Sequence, residues 1–182
     1  MFKYIKISLF FAFLSIVTTG CFFTKYHQTA YYDLEVVPVK LNTASEVRVS
    51  EFENESGTGS RIRIRTGKYR IVDAGYSKWV QSPGELLGRC LRKSFAGNFK
   101  NDAPDCFVSG TLTEFEVELD KMQFVMSGFY NVRYEKKQLN RKFNIAVPIK
   151  EKTPVEYARA ASQAVNELGR KIAVEINQIL KK

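Results

Sequence analysis

A single histidine, His27, serves the whole chain of 182 residues. It stands close to the amino terminus, so a serine– or cysteine–histidine pair would have no base within the body of the sequence. The three cysteines, at positions 21, 90 and 106, show no paired metal-ligand spacing, and with one histidine they make a poor ligand set. No glycine-rich phosphate-binding loop, internal repeat or low-complexity tract is present. The apolar stretch Ile7 to Val17 is short of the roughly 20 residues that a membrane span needs. These absences leave no constellation for catalysis and no bound cofactor or metal to expect. An enzyme is the minority reading.

What the amino terminus does contain is an export signal. Lys3 and Lys6 give a positive start, Ile7 to Val17 an apolar middle, and Thr18-Thr19-Gly20 small residues where a protease must reach the backbone. Cys21 follows at once. Val17-Thr18-Thr19-Gly20-Cys21 resembles a bacterial lipobox, with Thr18 where Leu is most usual. The resemblance implies that residues 1–20 are a lipoprotein signal peptide and that the Cys21 thiol carries diacylglycerol, with a further acyl chain such as palmitate on the new amino terminus. An ordinary signal peptide and an uncleaved anchor are the competing readings. Phe22, in place of the Asp that signals inner-membrane retention, implies the periplasmic face of the outer membrane. Residues 21–29 then form a lipidated tether, in which Phe22, Phe23 and Tyr26 either rest at the membrane interface or act as a spacer.

Residues 30–182 make one domain, long enough to bury a core. The net charge is +9, and loss of Lys3 and Lys6 leaves +7. Export removes nucleic acid as a partner and points the positive charge toward anionic lipid headgroups or acidic proteins. With Cys21 lipidated, Cys90 and Cys106 remain as a candidate disulfide in an oxidising compartment, or as two separately buried thiols.

Alternation marks the strands. Tyr31 to Val36 alternates, Val47, Val49 and Phe52 follow, and Asn54 to Ser60 is a polar loop. Arg61-Ile62-Arg63-Ile64-Arg65 alternates strictly and predicts a hairpin with Tyr69 to Val72 around Gly67. Further strands are predicted at Phe115 to Leu119, Phe124 to Val132 and Phe143 to Val147, with Lys136-Lys137-Gln138 in the last turn. Two helices share one start signal: Ser82-Pro83-Gly84-Glu85 and Thr153-Pro154-Val155-Glu156 each pair a capping residue with a Glu three positions on. Leu87, Cys90, Leu91 and Phe95 form the first apolar stripe. Ala158, Ala161, Val165, Leu168, Ile172, Ile176 and Ile179 form the second. The order predicts an α+β fold, one sheet with two helices against it.

Two charged patterns invite a functional reading. Arg61, Arg63 and Arg65 share one strand face and are candidate contacts for anionic lipid or an acidic partner; the plainer reading is a charged edge that discourages strand pairing. Glu114, Glu116 and Glu118 imitate a carboxylate cluster, but period-two spacing places them on a solvated face.

The most specific internal stretch, Tyr76 to Leu87, sets a Tyr, a Trp three residues on and a Pro-started helix with paired Leu. Together with Tyr31-Tyr32-Asp33-Leu34, Tyr69-Arg70-Ile71, Leu112 to Phe115 and the Ala-rich terminal helix from Tyr157, it resembles the ABC-type transport auxiliary lipoproteins, which include the PqiC-like proteins. The resemblance implies a mixed sheet with flanking helices, similar to the amino-terminal domain of TolB. It also implies a non-catalytic partner of an ABC transporter and an MCE-domain protein in lipid transport between two membranes, with homo-oligomerisation open. A lipoprotein of outer-membrane or lipopolysaccharide assembly is the alternative, and an uncharacterised periplasmic enzyme a distant third. Tyr76 and Trp79 are read as core residues that fix the start of the helix, with lipid or partner contact as the alternative.

Overall fold

The alternating segments and the two Pro-started stripes fold into one mixed sheet with both helices on one of its faces. The computed structural model describes residues 27–41, 46–57, 59–96 and 105–180. Its strands are β1 (Ala30–Tyr32), β2 (Glu46–Asn54), β3 (Arg61–Thr66), β4 (Arg70–Trp79), β5 (Asp105–Glu118), β6 (Gln123–Tyr134) and β7 (Lys137–Pro148); the helices are α1 (Pro83–Phe95) and α2 (Pro154–Leu180). The strand order is β1-β4-β3-β5-β6-β7. β5 is long enough to hold two strands end to end on one side, both parallel to it. β2 pairs with residues 105–112, and β3 pairs with Glu116 to Glu118. β6 runs antiparallel along the other side of β5 and pairs in turn with β7.

Alternation sends Ile62, Ile64, Val108, Phe115, Val117, Phe124 and Met126 into the core. Phe115 stands edge-on between Trp79 and Phe124, with ring centroids 5.4 and 4.8 Å away. The α2 stripe meets them from above, with Ala161, Val165, Leu168 and Ile172 fully buried. Gly84 and Gly88 let α1 sit directly on the β2 backbone, and a Cβ at Gly84 would collide with the Phe52 carbonyl.

Both helix starts form, each in its own way. Ser82 donates its backbone N–H and its hydroxyl to Glu85 Oε2 at 3.1 and 2.6 Å. At α2, Thr153 Oγ1 accepts from the Glu156 N–H at 3.3 Å, and Glu156 reaches past the cap to the Lys150 N–H at 2.6 Å. The hairpin turns at Gly67, whose φ of +71° suits glycine. The β6–β7 turn lies at Glu135-Lys136, one residue earlier than the sequence suggests.

One expected strand is mostly something else. Only Ala30 to Tyr32 joins the sheet, and residues 33–41 cross the helices as a strap. Side chains stand in for a neighbouring strand along it. Ser162 accepts from the Glu35 N–H, Asn166 bonds both the Val37 N–H and the Glu35 carbonyl, and the Ser94 carbonyl accepts from the Val39 N–H. Period-two spacing reports an extended backbone, and it cannot tell a ladder of strands from a ladder of side chains.

Candidate functional site

Cys21 lies outside the described residues, as do the signal at 1–20 and Phe22, Phe23 and Tyr26. The first described residue, His27, stacks on Tyr76 with centroids 4.6 Å apart. β1 is parallel to β4, with Ala30 opposite Ser77 and Tyr32 opposite Trp79. The chain therefore approaches β1 from the end of the sheet that carries the β3–β4 hairpin tip. No helix among the described residues is long and apolar enough to cross a membrane.

The arginine strand does not sit where a charged edge was expected. β3 is an interior strand, flanked by β4 and β5, so no edge is left for Arg61, Arg63 and Arg65 to protect. The three side chains share the face opposite the helices while Ile62 and Ile64 turn to the core. Each arginine has a carboxylate partner. Arg61 bonds Asp73 at 2.6 Å. Arg63 Nε lies 3.2 Å from Glu116 Oε2, and the Arg63 guanidinium also donates to the Ser56 carbonyl. Arg65 grips both oxygens of Glu116 through Nε and Nη2, and this contact raises its pKa further.

Glu116 is correspondingly not a solvated residue. It is 3 % exposed, wedged between two guanidinium groups. The expectation that all three glutamates face water holds for Glu114, which accepts from Ser127 at 2.5 Å, and fails at Glu116. The cause is the parallel β3–β5 register, which sets Arg63 opposite Glu116 and Arg65 opposite Glu118. Both oxygens of Glu116 are engaged by guanidinium groups, and the same pairing takes Arg63 and Arg65 out of a free cationic patch.

Beside this cluster, a cavity of about 360 Å³ opens at the hairpin end, lined by Arg65, Gly67, Lys68, Glu118, Asp120 and Lys121. Asp120 there accepts the Gly67 N–H at 2.6 Å, and Glu118 holds Lys121 and Gln123. A wider, open hollow lies on the same face around half-exposed Phe129, with Asn131, Asn140 and Glu53 among its walls. Among the described residues no group of three His, Cys, Asp or Glu side chains could hold a metal.

Trp79 is core, at 1 % exposure, whereas Tyr76 is 55 % exposed and does not pack inside. The backbone explains the split. β4 has several extra residues between its pairings with Arg61 and Arg63, and Gly75 there takes a φ of +57°, so Tyr76 is turned away from the core.

Cys90 and Cys106 are free thiols, each fully buried, one on the inner face of α1 and one on β5. Of the two readings open in the sequence, the structure adopts buried thiols in place of the disulfide. Each is packed as a small apolar side chain, and burial pushes both pKa values up to about 11, which keeps them protonated and unreactive.

Comparison with solved structures shows the same fold twice. An uncharacterized protein matches with a TM-score of 0.68 and 17 % identity, over 82 % of this chain and 99 % of its own. A protein from Xanthomonas campestris matches with a TM-score of 0.66 and 15 % identity, over 84 % and 98 %. At such identities the likeness establishes the fold. No curated protein matches the chain. A family model, described as the ABC-type transport auxiliary lipoprotein component, matches residues 58–173, from the loop before β3 to well into α2. On that match the chain belongs to the ABC-type transport auxiliary lipoprotein family.

Proposed function

We propose that this protein is a non-catalytic, lipid-anchored docking subunit of an ABC/MCE-type system that moves lipid between the two bacterial membranes. The observation that carries the reading is the family match over residues 58–173, which makes the chain an auxiliary component of ABC-type transport. The amino-terminal signal and Cys21 add the anchor, and Phe22 in place of Asp favours the periplasmic face of the outer membrane. Two or three long acyl chains, at about 0.8 kcal/mol per buried methylene, make such attachment effectively permanent. The partners are an MCE-domain protein and its ABC transporter complex.

Purification of the lipidated chain from detergent-solubilised membranes, followed by mass spectrometry, tests this. An MCE-domain protein should co-purify, and deletion of the gene should weaken the outer-membrane barrier to detergents, most visibly where parallel lipid-transport systems are absent. Recovery of outer-membrane or lipopolysaccharide assembly proteins in place of an MCE protein would transfer the subunit to that machinery. A measured hydrolytic turnover would overturn the docking role.

A further inference from the structure

Of the nine large apolar side chains exposed among the described residues, five gather on one part of the molecule, while Val37, Phe129, Val155 and Val174 lie apart. Among the described residues, Tyr31, Tyr69, Ile71, Tyr76 and Val80 are all large, apolar and exposed, and all lie on β1, on β4 or directly beside β4. Tyr69, at the hairpin tip, is 84 % exposed. Lys68 and Arg70 flank it, and Lys68 Nζ stands 5.1 Å from the centre of its ring. β1 covers only Ser77 to Trp79 of β4, so the edge from Arg70 to Tyr76 carries no strand among the described residues. Tyrosines with basic neighbours suit the headgroup layer of a bilayer, where the ring meets apolar chains, the hydroxyl stays wet and cations meet phosphate.

The length of chain between Cys21 and the first described residue bears on what covers this edge. Five residues stand between Cys21 and His27, and the six Cα–Cα steps, fully extended, span about 20 Å. His27 is held against Tyr76, and from there to the hairpin tip β4 runs on for about 20 Å as well. Since β1 is entered from the tip side, the hairpin end and the β1–β4 edge are the parts of the domain that a short tether to an acylated Cys21 would hold nearest the bilayer.

We propose that the β3–β4 hairpin tip and the β1–β4 edge form a membrane-contact surface, with Tyr69 in the headgroup layer, Tyr31 and Tyr76 along its margin, and Lys68 and Arg70 on anionic headgroups. This rests on the lipid anchor at Cys21 given above. It fixes an orientation that an anchor alone leaves free. The helix-covered sheet stands up from the bilayer, and the far end, with the β6–β7 turn and the end of α2, points into the periplasm. Lys137 Nζ meets the Ile179 carbonyl at that far end.

The test uses the full lipidated chain in phosphatidylethanolamine–phosphatidylglycerol vesicles, with and without brominated acyl chains. Tyr69→Trp places an indole at the tip, and Val174→Trp places one on exposed α2 toward the far end; buried Trp79 is a shared background. Bromolipid should quench the added emission of Tyr69→Trp by at least half and leave that of Val174→Trp unchanged. Equal quenching of the two variants, or none in either, with the acyl mass present on Cys21, overturns the surface and leaves the open β4 edge to a protein strand. Absence of the acyl mass overturns the anchor, and the contact with it.

Discussion

The two faces of the sheet are built on different principles. Under the helices the core is hydrocarbon, with Trp79, Phe115, Phe124 and the α2 stripe meeting without ionised groups. On the opposite face no helix among the described residues lies over the strands, and burial comes from charge, with Glu116 shielded by the side chains of Arg63 and Arg65. A dry core tolerates rearrangement by volume. An ion cluster does not, because each member left unpaired keeps its desolvation cost. The first face should then carry most of the stability, and the second should favour the β3–β5 register that brings its charges together.

Substitutions in each face should separate these roles. The largest effect belongs to Trp79→Ala, which should cost about 3–5 kcal/mol in urea denaturation, as for a fully buried aromatic. Tyr76→Ala, three residues away but exposed, should stay within about 0.5 kcal/mol. Glu116→Gln comes next. Breaking a fully buried pair costs about 3–5 kcal/mol, and because Arg63 and Arg65 remain 22 % and 26 % exposed, about 2–3 kcal/mol is expected here. If Glu116→Leu with Arg63→Met and Arg65→Met recovers most of that loss, the cluster serves specificity more than stability.

The smallest effect is a matter of pH. At the start of α2, the Arg159 guanidinium first, and then the Lys150 N–H, hold the Glu156 carboxyl down to about 2 from its ordinary 4.5. A carboxylate depressed in the fold stabilises above its unfolded pKa, and that contribution disappears as pH falls through the folded value. Glu156→Gln should therefore lower the Tm slightly at neutral pH. The gap to the native chain should be constant above about pH 4.5 and close on the way down to pH 2.

Legibility from sequence follows the same division. Short-range signals carried the elements: both helix starts, the α2 stripe, and Ile62 and Ile64 as core all stand where spacing puts them. What spacing could not carry was who pairs with whom. Arg61-x-Arg-x-Arg and Glu114-x-Glu-x-Glu each read as a polar face, and only the 51-residue separation closed between Arg65 and Glu116 makes them partners. Their complementary alternation was the available signal. The Tyr31 to Val36 pattern failed for a related reason, since Ser162 and Asn166 supply its hydrogen bonds from a helix far along the chain. Tyr76 was hidden by a local one, the irregular stretch of β4 around Gly75.

The path of the amino-terminal segment has a mechanical consequence. β1 lies parallel to β4 over Ala30 to Tyr32, and the strap behind it is fastened by Ser162, Asn166 and Ser94 and by the ion pair of Asp33 with Arg89. A pull on the amino terminus acts along this line, at right angles to its hydrogen bonds. The bonds are then loaded together in shear, and none can be peeled open one at a time. A pull entering at β1 is therefore shared between the sheet and both helices.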